Sequence, residues 1–332
     1  MCKFEPRLTW ICTKRVGIKK KNRRLESRGA MDMNMNNLRS LPIAACIFFL
    51  VLIPLSAAAF PPASPAGGNY LVLDGVADYA VLDFQTFGML LPERTDEFTV
   101  EAWIYPTKSP DKNTAAAVLS QQVRVRIVND EFQALNEIIR GINNLPHLPE
   151  GDLVLIMDAH LAGRGPHVTT PFFPTPIMAN QWHYIAFQAK GNQTTTIIND
   201  LARTWMHATH IGDDFAWRPK DFTLGGFGKK IEVPWRNRWF WGSFTGYIDE
   251  VRISSVARYD VTKKDFVPHS KFKDDAKTVA LWHFDEPGGT REFSDASGNA
   301  YHLVGEGGAR TGNPLAVEAQ GKLTTTWGRL KQ

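Results

Sequence analysis

Gly246 to Ile253 reads GYIDEVRI and is led in by Ser243, Phe244 and Thr245. In an extended chain, Tyr247, Asp249, Val251 and Ile253 share one side. Ile248, Glu250 and Arg252 share the other. A glycine at the head of so apolar a run marks a place where a side chain would not fit or would break the pleat. The stretch therefore reads as a strand around which other strands assemble.

Working outward, strand signals come in quick succession. Asn69 to Leu73 and Tyr79 to Leu82 flank the turn Asp74-Gly75. FTVEAWIY, Phe98 to Tyr105, alternates without a break: Phe98, Val100, Ala102 and Ile104 against Thr99, Glu101, Trp103 and Tyr105,. Ala117 to Ser120, Val123 to Val128 and Leu153 to Met157 are further short β runs. Gln181 to Ala189 pairs through Lys190 to Gln193 with Thr194 to Asn199 as a hairpin. Phe222 to Gly226 precedes the opening stretch, and Val279 to Phe284 follows it. One segment breaks the pattern: Asp130 to Ile142 spaces Phe132, Leu135, Ile138, Ile139 and Ile142 as a short helix,. Many short strands with frequent turns and a single helix predict an all-β, two-sheet antiparallel sandwich.

The N-terminal part is different in kind. Residues 1–40 carry eleven Lys and Arg against three acidic groups, and 41–59 carry no charge. The formal net charge of +4 thus belongs to the leader, while the chain from Phe60 onward has 27 basic and 31 acidic groups. Nothing in that body calls for nucleic acid. Leu41 to Ala59 reads as an export signal with an Ala57-Ala58-Ala59 cleavage site before Phe60, and Met31 is a plausible start. An uncleaved anchor is the alternative, and it is the one route to a membrane association. The chain thus divides into a leader (1–59), a Pro/Gly/Ala linker (60–68), a domain (69–305) and a polar tail (306–332). Cys2, Cys12 and Cys46 all lie in the leader, so the body must be held by core burial alone,.

Four stretches, in this order, resemble the laminin-G-like (LamG-like) jelly roll of the concanavalin-A-like lectin and glucanase superfamily. They are NYLVLDGVADYAVLDF, FTVEAWIYP, NQWHYIAFQAKGNQTTTIIND, and FTLGGFG with GYIDEVRISSVARY. LWHFDEPGGTREFSDASGNAYHL, Leu281 to Leu303, resembles a fifth family stretch that usually comes first. Here it comes last, so it either closes this domain or begins another; closure leaves no orphan strand edge. Asp130 to Pro176 has no counterpart. The resemblance implies a jelly-roll fold and an exported, secreted or cell-surface protein that binds extracellular glycan or protein.

Three kinds of site are weighed on that fold. Related sandwiches that hydrolyse glycosides use Glu-x-Asp-x-x-Glu, which places its carboxylates together on one strand. No such triplet occurs here, and the reading is non-catalytic, with a divergent carbohydrate-active enzyme or a purely structural surface protein as alternatives. A calcium site is expected from Asp249, Asp295 and Asn299, since hard cations gather carboxylate and amide oxygens. The competing reading of Asp295-Ala-Ser-Gly-Asn299 is a turn that bonds its own backbone. A ligand surface is expected from PWRNRWFW, with Trp235, Trp239 and Trp241 as stacking rings and Arg236 and Arg238 as donors. The competing reading places those tryptophans in the core.

Overall fold

The computed structural model describes residues 63–92, 94–111, 114–121, 123–129, 153–159, 168–169, 177–207, 220–232, 240–262 and 266–312. All belong to the unit Ala59–Gln332. The expected export signal, the Asp130 to Ile142 helix and most of PWRNRWFW lie outside the described residues.

Two sheets stack face to face. The first is built around β14 (Thr245–Ser254), the strand that carries GYIDEVRI. One flank of β14 pairs along its length with β3 (Glu97–Pro106). The other pairs first with β1 (Tyr70–Asp74), then with β15 (Thr278–Trp282). Beyond β3 come β8 (His183–Lys190), β9 (Gln193–Ile198) and β10 (Leu201–Met206). Beyond β1 comes β18 (Arg310–Gly312). The second sheet runs β16 (Glu292–Phe293), β17 (Leu303–Glu306), β2 (Tyr79–Leu82), β11 (Phe222–Leu224), β4 (Thr114–Ser120), β5 (Val123–Asn129), β6 (Leu153–Ala159) and β7 (Val168–Thr169). A hairpin of β12 (Ile231–Glu232) and β13 (Phe240–Ser243) joins it, with β13 parallel to β4.

The inner faces make one core. Phe98, Val100, Ala102 and Ile104 of β3 all enter it, as their alternation requires, and meet Leu82, Phe222, Leu224 and Val118 of the second sheet. Trp282 is fully buried and stacks on Phe222 with ring centroids 5.3 Å apart. β16 pairs with β17 and β17 with β2, so Leu281 to Leu303 closes this same sandwich. The sheet also continues past the expected end at Gly305. A turn at Gly307, whose φ of +73° suits glycine, returns the chain so that Arg310–Gly312 lies beside β1,.

β14 departs from the simple alternation read from its sequence. The register shifts between Asp249 and Arg252, and Glu250 has φ +50°. This β-bulge inserts one residue. Consequently Ile248, Val251 and Ile253 all face the core, while Tyr247 and Asp249 before the bulge and Arg252 after it face outward. Gly246 is required because a Cβ there would run into the carbonyl of Tyr105.

The described helix is α1 (Phe84–Phe87), a single turn. Asp83 caps it by accepting from Thr86 N at 2.8 Å,. No helix among the described residues is long and apolar enough to cross a membrane.

Candidate functional site

On the outer face of the first sheet residues 255–262 and 266–277 lie across β3, β8 and β15. They contribute Tyr259, Val261, Phe266 and Phe272 to a small second core with Tyr184, Ala186, Ile197 and Leu281. Beneath them Arg252 pairs with Glu101 at 2.8 Å, both side chains buried. Tyr184 donates to the same carboxylate at 2.7 Å, Tyr259 donates as well, and Arg252 also reaches Lys273 O at 2.9 Å. Burial, then the nearby Glu101 charge, holds the Tyr184 phenol well above its ordinary range. The cluster is fully bonded and sealed, which suits fastening better than chemistry.

The bulge holds a second buried carboxylate. Asp249 is fully buried; it accepts from Glu250 N at 2.8 Å and bonds the Ser64 hydroxyl. Burial pushes its carboxyl up to about 8 against the pull of Ser64, with the Glu250 charge adding to the rise. Glu250 takes His283 Nδ1 at 2.7 Å and Phe272 N at 2.7 Å. Lys271 pairs with Asp285 at 2.6 Å beside them.

Asp249 and Asp295 share no hydrogen-bond partner. Asp295 accepts from Leu281 N and Ser297 N through Oδ1, and from Ser297 Oγ and Tyr301 N through Oδ2. Asn299 spends its amide on Val279 O at 3.0 Å. This is the self-bonded turn, since each carboxylate oxygen is already occupied by donors. A calcium ion shared with Asp249 does not fit these residues as placed. Among the described residues no group of three or more His, Cys, Asp or Glu is arranged to hold a metal ion.

Of the aromatic stretch, Trp235, Arg236, Arg238 and Trp239 lie outside the described residues. Trp241 is placed on β13, opposite Ile231 and beside Ala115 of β4. It is half-buried and does not join the core cluster. With Phe227, Ile231, Ala117, Ser120 and Lys220 it lines a groove of about 150 Å³ on the second sheet. Lys220 Nζ lies 3.3 Å from Ser120 Oγ in the wall. On the opposite face of β13, Phe240 lies under the Lys230 ammonium at 4.8 Å,. Phe227 and Ile231 carry no signal of their own in the sequence, since they fall between the Phe222 to Gly226 strand and PWRNRWFW with no alternation to place them.

The architecture is thus an all-β, two-sheet, mostly antiparallel sandwich with one short helix, with the LamG-like motif stretches on β1–β2, β3, β8–β9, β11 and β14. Among solved structures the chain is similar to a candidate carbohydrate-binding protein from Bacteroides ovatus (TM-score 0.46, 16% identity, 74% of this chain and 60% of that one). It is similar also to a heptameric SAP-like pentraxin from Limulus polyphemus (TM-score 0.38, 12% identity, 58% and 78%). Domains LG4-5 of the mouse laminin α1 chain give a TM-score of 0.36 at 12% identity, over 63% of this chain and 47% of that one. The chain therefore spans less than two thirds of the first and third of these. No protein-family model and no curated protein matches the sequence.

Proposed function

We propose that the protein is a non-catalytic binding module that recognises an extracellular glycan or protein through the second sheet, around Trp241. The observation that carries this reading is the groove itself. A half-buried indole and a phenyl ring offer flat apolar faces, while Lys220, held against the buried Ser120 hydroxyl, brings an ammonium to the lining. Stacking faces with a few convergent polar groups are what a sugar ring or an aromatic side chain needs. The basic, then uncharged leader supports export. The burial and full bonding of Glu101, Asp249, Glu250 and Asp295 support a role without acid–base chemistry,.

The test is a glycan array, followed by titration of the best hit against Trp241→Ala. Because Trp241 stands outside the core, its truncation is expected to leave the melting temperature nearly unchanged. Binding should weaken by about tenfold or more, as for a central aromatic contact. A Trp241→Ala protein that is folded and binds every hit as the parent does rejects the groove.

A further inference from the structure

A second groove opens at the end of the sandwich, on the opposite side of β13 from Trp241. Its volume is about 260 Å³. The β1–β2 turn contributes Gly75 and Val76, and the β3–β4 connection contributes Lys108 and Asp111. Thr114, Lys230, Ser109, Ser243 and Thr245 complete the polar lining.

One atom in this groove is out of order. Thr114 is 6% exposed, and its hydroxyl Oγ1 has no hydrogen-bond partner. Its methyl is held against Gly242, where even a Cβ would come within 2.6 Å. A buried hydroxyl left unpaired is unfavourable, so native structures rarely keep one without a reason. Of the residues with an orphaned side-chain atom among those described, Thr114 alone lines this groove, with its hydroxyl sealed in the wall until a neighbour gives way.

The charges around it are arranged for re-pairing. Asp111 lies between two ammonium groups, Lys108 at 3.6 Å and Lys230 at 3.5 Å. Both pairs are long and exposed, so little is lost when a ligand enters between them. The mixed signs also sort ligands. An anion meets Asp111, and a cation meets two lysines. A neutral ring bearing several hydroxyls satisfies both, since a carboxylate accepts from two neighbouring O–H groups while ammoniums donate to ring and hydroxyl oxygens. The space is several times the roughly 30 Å³ share of one water. It is below the ~300–1,000 Å³ of pockets for drug-sized molecules, which suits one ring. Val76, 72% exposed, offers an apolar face beside it.

We propose that this end groove is a binding site for a single neutral sugar residue, with Asp111 and Thr114 accepting and donating to its hydroxyls and Lys108 and Lys230 donating. It rests on the glycan arm of the function above, but not on Trp241. The test uses the purified protein labelled with ¹⁵N and a panel of methyl glycosides of glucose, galactose, mannose and N-acetylglucosamine at millimolar concentration. At least one is expected to shift the amides of Val76, Lys108 and Asp111. Thr114→Val should weaken that binding about tenfold while leaving the melting temperature equal or higher, because it removes the orphaned hydroxyl without changing shape. Asp111→Asn should weaken it similarly. Rim shifts that survive in Trp241→Ala support the site even where the sheet groove binds nothing. Absence of rim shifts for the whole panel overturns it. So does binding that Thr114→Val and Asp111→Asn leave unchanged. Shifts confined to the neighbourhood of Trp241 overturn it while leaving the sheet groove standing.

Discussion

At the scale of single residues, Asp249 has the clearest solution signature. Its carboxyl is raised to about 8 in the folded chain by burial, against ~3.9 when unfolded. The folded state therefore prefers the protonated form. Stability associated with this group is fully present below the unfolded value, falls as pH rises through the interval from ~4 to about 8, and is level above it. The ceiling on that loss is on the order of 5 kcal/mol, at 1.36 kcal/mol per pKa unit. Asp249→Asn keeps the shape and an acceptor oxygen but cannot ionise. Urea midpoints across pH 4 to 9 should slope downward for the parent and run nearly flat for the variant. Parallel curves would mean that Asp249 is not the titrating group. The partner Ser64 lies in the stretch read as an unpacked linker. Its Pro/Gly/Ala composition reads as a spacer that does not pack, and carries no sign that one buried hydroxyl is tied to a strand far along the chain.

At the scale of elements, β14 shows what the sequence could and could not carry. Phe98 to Tyr105 alternates strictly, and β3 keeps that alternation because it pairs with β8 in unbroken register and the extra residue on its other flank belongs to β14. GYIDEVRI also alternates, yet the bulge at Asp249 and Glu250 resets the faces. The reset is decided by its neighbours: Ile248 and Val251 are both claimed by the core, and they can share a face only if one residue is extruded between them. The strap of residues 255–262 and 266–277 was likewise invisible, since it has no periodicity and is fastened by Arg252 and Glu101 from the sheet below. Its fastening can be tested. Arg252→Ala leaves Glu101 buried without its cation, and loss of one partner of such a pair typically costs about 3–5 kcal/mol. Chemical denaturation should show a loss of that size. Hydrogen exchange should show the amides of Tyr259 and Phe272 exposed before those of β3. A loss below 1 kcal/mol would place the strap's stability in Phe266 and Phe272 alone.

At the scale of the whole molecule, the sandwich was legible because strand periodicity and turn residues are local signals. Its candidate sites were less so, because Trp241, Phe227 and Ile231 converge only through the β12–β13 hairpin, and Lys230 reaches Asp111 only where that hairpin lies beside β4. Asp295 and Asn299 show the converse: a sequence rich in metal-type oxygens whose oxygens serve its own turn. The chain from Phe60 onward has no cysteine, so its stability rests on a core such as Trp282, Phe222 and Phe98 provide. Excess dithiothreitol should accordingly leave the melting temperature unchanged, whereas any reductant-sensitive transition would point to a covalent link through the leader cysteines.

The pairing of Leu71 with both Ile248 and Thr311 sets the timing of folding. While the chain is being made, β1 emerges with neither neighbour available; one flank stays unsatisfied until β14 has been added, and the other until almost the last described residue. Such distant pairings close slowly. A nascent chain of this design remains extended and threadable throughout synthesis, with its first strand open to chaperones. Were the chain exported, as the basic and then uncharged leader is proposed to direct, that condition would suit passage through a narrow pore before its two ends meet.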